Sequence, residues 1–166
     1  MTVAVQRELQ MKLSPEALQS AATSVLEDVA CVLVRPLDRR PPTLDTWSAT
    51  GARLRFRGAV RGYMELWAPR EAVRSLASAV LGDDAGRPAT AEATLDAMRE
   101  MLHVLCGDVL AVLAGPERAF SLGIPRGCAR PVPFTERENG IETWLEAEGH
   151  PVLMRLRVAG LGSGLA

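Results

Sequence analysis

Apolar positions along the chain change period several times, and each change marks an element. Ala17, Leu18, Ala21, Val25, Val29 and Val32 recur at helical spacing behind Ser14-Pro15-Glu16, where a capping serine and a first-turn proline predict a helix start. This helix is expected to run to Arg35-Pro36, because the residue before a proline avoids the helical region. Arg39-Arg40-Pro41-Pro42 reads as a loop. Over residues 47–67 the period falls to two. Leu54, Phe56 and Gly58 alternate with Arg53, Arg55 and Arg57 as in a half-buried strand, and residues 58–62 turn it into a returning strand at 63–67. Pro69-Arg70-Glu71 opens a second helix through Val80, stopped by Gly82-Asp83-Asp84.

The longest helical pattern covers residues 90–114 and ends at Gly115-Pro116. A strand at 119–122, a Gly/Pro-rich loop through Pro133, and a strand at 141–147 follow. Gly149-His150-Pro151 is expected to turn the chain into a last strand at 152–158. The order of helix, hairpin, helix, long helix and three strands predicts an α/β chain of the α+β kind, with an antiparallel sheet and two or three helices packed on one face. Residues 14–158 read as a single domain, preceded by an N-terminal segment at 1–13 and followed by a frayed tail at 159–166.

Composition narrows the function classes. Hydrophobic residues make up 48% of the 166 positions, enough for a core, while 23% charged residues argue against disorder. With 19 basic and 20 acidic side chains the net charge is −1, so no overall basic field calls for nucleic acid. No secretory h-region and no membrane-length apolar run occurs. Cys31, Cys106 and Cys128 are odd in number and far apart, which fits reduced thiols in a cytoplasmic protein better than a disulfide framework or a zinc site.

Candidate chemistry lies on the long helix. At about 100° per residue, Leu95, Met98, Met101, Leu102, Leu105, Val109, Val112 and Leu113 gather on one side. Glu92, Asp96, Arg99, Glu100, His103 and Gly107 gather on the other. A polar face is ordinary on a surface helix. Two details set this one apart. Asp96, Glu100, His103 and Gly107 stand in one line along the axis, and Gly107 interrupts a strong helix at a cost of about 1 kcal/mol relative to alanine. The bare spot at Gly107 admits either a partner's backbone or another helix of this chain.

The spacing Asp96-xxx-Glu100-xx-His103-xxx-Gly107 resembles the (Asp/Ser)-xxx-Glu-xx-Asn-xxx-Gly signature of the CheC, CheX and FliY phosphatases. The glycine-punctuated hairpin at 57–66, the helix at 72–81 and Ser121-Leu122-Gly123-Ile124-Pro125 are similar to their counterparts in CheX-like chains. The resemblance implies a CheC-like fold and a phosphatase acting on the aspartyl phosphate of a CheY-like receiver domain. In that family the glutamate pairs with the receiver's lysine, and the asparagine amide orients a water in line with the phosphate. By resemblance Glu100 is the docking acid and His103 takes the asparagine's position, so Glu100 and His103 would carry catalysis. Asp96, Arg99, Gly107 and Glu92 would line the docking surface. The Mg²⁺ of the reaction would be the receiver's, and this chain would bind no cofactor. The first helix offers Ser20, Ser24 and Glu27 but Ala30 where a second asparagine would be needed, so one site at most is expected. That points to the CheX-like branch and, through it, to a homodimer.

His103 is the departure from the signature. An amide presents a carbonyl and an NH₂ together, whereas a neutral imidazole has one donor and one acceptor on opposite sides of a ring. The ring could hold a water through either nitrogen, act as general base, or be silent and leave a module that docks without hydrolysis. Two other chemistries are open to these residues. Glu100-xx-His103 has the spacing of di-iron helices, but those need the motif twice. His103 and Cys106 are neighbours at i and i+3, but no orienting group accompanies them.

Overall fold

The computed structural model describes residues 4, 8, 11–40, 49–81, 90–132, 134 and 140–159. Among the described residues the helices α1 (Pro15–Ala30), α2 (Arg70–Leu81) and α3 (Ala91–Ala114) lie against a seven-stranded sheet. Its strands are β1 (Val34–Leu37), β2 (Ala49–Gly58), β3 (Arg61–Pro69), β4 (Phe120–Leu122), β5 (Arg126–Cys128), β6 (Gly140–Ala147) and β7 (His150–Val158). All pairings are antiparallel in the order β1-β6-β7-β3-β2-β4, with β5 beside β4 on the same edge of β2. The expected α+β architecture is the observed one.

Strand alternation divides the sheet into two unlike faces. Leu54, Phe56, Met64, Leu66, Leu145, Val152, Met154 and Leu156 are buried on the helix-covered face with Leu18, Leu26, Leu76, Met98, Leu102 and Leu105. The opposite face carries Arg53, Arg55 and Arg57 on β2, Tyr63, Glu65 and Trp67 on β3, and Leu153, Arg155 and Arg157 on β7, aligned in register. Glu65 is fully buried there. It accepts from Arg53 Nε at 2.7 Å and from Arg155 Nη1 at 2.8 Å. Burial opposes the charge of Arg53, but the Glu65 carboxylate outweighs it and raises the guanidinium's pKa. The Phe134 ring caps Arg155 at 3.9 Å.

Three boundaries differ from the sequence expectation. The first helix stops at Ala30, not near Pro36. Cys31 takes a left-handed conformation (φ 52°) and its N–H donates to the Glu27 carbonyl. Pro36 instead sits in β1, an edge strand, where its missing donor is tolerated. The last turn is Glu148-Gly149, both with positive φ, so His150 and Pro151 belong to β7. The loop after β4 contains β5. Leu122 faces Phe56 and Arg126 faces Arg53, so residues 123–125 stand against only Leu54 and Arg55, a bulge anchored by the Gly123 N–H on the Arg55 carbonyl. The expected stop at residues 82–84, the loop residues Pro41 and Pro42, and the tail beyond Ala159 lie outside the described residues.

Candidate functional site on the long helix

Helix α3 begins where the Thr90 hydroxyl accepts the Ala93 N–H at 3.1 Å, and it ends on Gly115 at φ 96°. Met98, Met101, Leu102, Leu105, Cys106, Val109 and Leu110 anchor it in the core. With that side held, the stripe is fixed in orientation: Glu92, Asp96, Glu100 and His103 are exposed, and Arg99 and Gly107 are half-buried. The buried side differs from the expected one in its last turns. Val112 is 58% exposed while Leu110 and Ala114 are buried. Leu110 continues the line of Glu100, His103 and Gly107, so the polar face is closed off one turn beyond the glycine.

Within the stripe the charges are not equivalent. Arg99 Nη1 donates to Asp96 Oδ1 at 2.8 Å, an exposed pair that neutralises both. Among the described residues neither Glu100 nor His103 has a hydrogen-bond or ion-pair partner. One helical turn apart, their Cβ atoms are roughly 5–6 Å from each other. The acid and the imidazole are thus both available to an incoming molecule. Among the described residues Gly107 has no helix against it: a Cβ there would meet only Leu122 Cδ1, at 3.6 Å. Close packing against α1 or α2 is therefore not its purpose. Leu122 borders the stripe beside Gly107, a neighbour the sequence reading missed because β4 and α3 meet only through the fold.

The competing chemistries fare differently. Cys106 is fully buried, and burial pushes its thiol up to about 12, so it supplies no thiolate to pair with the exposed His103. Among the described residues no three His, Cys, Asp or Glu side chains converge as a metal site would need. His150 begins β7, in a different element from His103. No described helix is long and apolar enough to cross a membrane.

Residues 50–131 match the family described as chemotaxis phosphatase CheX. No curated protein matches in sequence. Among solved structures, the chain is similar to the chemotaxis protein CheX of Vibrio vulnificus (13% identity, TM-score 0.62, covering 89% of this chain and 97% of that one). It is similar to a CheX from Desulfovibrio desulfuricans at 16% identity and TM-score 0.62, over 91% of this chain and 99% of that one. A third, from Borrelia burgdorferi, is a CheX solved as a complex with CheY, BeF3 and Mg²⁺ (14% identity, TM-score 0.59, 86% and 96% coverage). At such identities these structures report a common fold.

Proposed function

Because the chain is a CheX-type member of the CheC, CheX and FliY family, we propose that it docks a phosphorylated CheY-like receiver through the α3 stripe and hydrolyses its aspartyl phosphate. The observation that carries this reading is the pair Glu100 and His103, exposed and without a partner among the described residues, on one face of a helix whose other side is locked in the core. The complex of the Borrelia relative with CheY supports the receiver as partner. Phosphoryl transfer needs a positioned nucleophile more than covalent help. Glu100 meets a receiver cation and sets the register. His103 then reaches the phosphoryl group and holds a water in line. The water oxygen bonds to phosphorus as the bond to the aspartyl oxygen breaks, leaving a free carboxylate and inorganic phosphate. Any Mg²⁺ belongs to the receiver. Asp96, Arg99, Gly107 and Glu92 border the contact, and a homodimer would present two such stripes.

A second reading rests on His103 itself. An imidazole in place of an amide is compatible with docking that lacks hydrolysis. Phosphoaspartate lifetime in receivers of the same cell, charged with acetyl phosphate, separates the two. Faster decay in the presence of the protein supports the phosphatase. Decay identical to the receiver alone, at saturating protein with binding demonstrated, leaves only the docking module.

A further inference from the structure

The face of the sheet turned away from the helices carries a feature that receiver docking does not use. Beside the buried Glu65 network, the ends of β2, β3 and β7 form a cleft of about 920 Å³, lined by Arg53, Arg55, Arg57, Arg61, Arg157 and Tyr63. Five arginines meet there in a chain of net charge −1, and among the described residues no carboxylate lines the cleft.

Their arrangement follows from strand register. Arg57 and Arg61 are direct cross-strand partners, a like-charge pairing that destabilises a sheet. Arg55 lies two residues along β2 on the same face, roughly 7 Å away. Across β3, Arg157 pairs with Tyr63, and its guanidinium lies 5.8 Å from that ring. Arg53 stacks on the same ring at 4.3 Å but is committed to Glu65. Among the described residues, Arg55, Arg57 and Arg61 have no acidic partner. Three uncommitted guanidiniums thus converge on one concavity at the cost of mutual repulsion, and a bound anion would remove that repulsion.

We propose that this cleft binds a small ligand bearing two or more phosphoryl groups, of the class of pyrophosphate or a nucleoside polyphosphate. Guanidinium forks match phosphate oxygens two at a time, and three of them exceed what a single carboxylate can satisfy. The volume lies in the range of small-molecule pockets, and the basic residues form a pocket rather than the extended track nucleic acid requires. The arginines lie on the sheet face turned away from the helices, and the cleft adjoins the α3 stripe only at Leu122, which lines the one and borders the other.

Calorimetric titration at constant ionic strength tests this with pyrophosphate and ATP, using sulfate and inorganic phosphate as comparators. Saturable binding of the diphosphates, roughly tenfold tighter than of the single-group anions, is the expected result. Arg57→Gln and Arg61→Gln should each weaken it roughly tenfold. They should not lower the melting temperature of the unligated protein, because each removes a repulsion. Arg70→Gln, at the exposed start of α2, should change nothing. Tighter binding of ATP would add the nucleoside to the recognised group, and equal binding would confine recognition to the phosphates; both support the site. Absence of saturable binding, equal binding of sulfate, or full retention in Arg57→Gln and Arg61→Gln would overturn it.

Discussion

At the scale of single residues, His103 decides whether docking leads to hydrolysis. His103→Ala should abolish acceleration of phosphoaspartate decay while leaving receiver binding nearly intact. If the ring only holds a water, His103→Asn should preserve or raise the rate, because it restores the signature amide at the same helical position. If the ring is a general base, His103→Asn should lose the rate together with His103→Ala, because an amide does not take up the proton that the attacking water gives away. Glu100→Ala should weaken receiver binding by about 1.5–3 kcal/mol, the range of a charge-assisted contact, with a melting temperature close to wild type since the carboxylate is exposed. Unchanged affinity in a titration against the true partner would remove Glu100 from the contact. Cys106 offers a separate check. Its folded pKa of about 12 exceeds the ordinary 9.0, so the unfolded chain releases a proton that the folded one keeps. Stability is therefore unaffected below about pH 9 and falls as pH rises from there toward 12, by about 1.4 kcal/mol per pH unit at most. Cys106→Ala should flatten that part of the urea-unfolding profile.

At the scale of the element, α3 serves two ends, and Gly107 is where they conflict. Room for a methyl group exists, since Leu122 Cδ1 at 3.6 Å is an ordinary contact. Gly107→Ala should therefore stabilise the protein by about 1 kcal/mol through helix propensity. The same methyl would stand in line with Glu100 and His103 and should weaken receiver docking. A higher melting temperature together with lower affinity is the expected signature. Raised stability with unchanged affinity would show that nothing approaches the helix at that point.

Across the whole molecule, the sheet separates an apolar interior from a charged outer face, and Glu65 is the hinge of the latter's electrostatics. Its fully buried carboxylate joins Arg53 on β2 to Arg155 on β7 through β3. Glu65→Gln would leave Arg155, 2% exposed, without its buried counter-charge; Arg155 Nε lies 3.4 Å from Glu142, but that carboxylate is half exposed to solvent. The loss should be about 3 kcal/mol or more, read as a lower urea midpoint without a change in the denaturant slope. A loss below about 1 kcal/mol would mean the three strands are held by the helix-side packing alone.

The sequence by itself determined much of this protein, because the informative signals were local. Period-two alternation at Arg53–Arg57, the Ser14 cap, and the i, i+4, i+7, i+11 line ending at Gly107 depend on neighbours a few residues away. Strand, helix and stripe were therefore legible before any contact was known. Where the local signal was atypical, the reading failed. A left-handed cap at Cys31, where glycine is usual, hid the end of α1 and the strand holding Pro36. Glu148, in place of asparagine or aspartate, hid the turn before His150. Long-range facts could not be read at all. Burial of Cys106 and Leu110, the approach of Leu122 to Gly107, the pairing of Glu65 with Arg155 and the meeting of Arg57 with Arg61, Tyr63 and Arg157 join residues that are apart in the chain. Side-chain direction within an element follows from its period, but which elements face each other is set by how the whole core packs. Only the tertiary structure decided that.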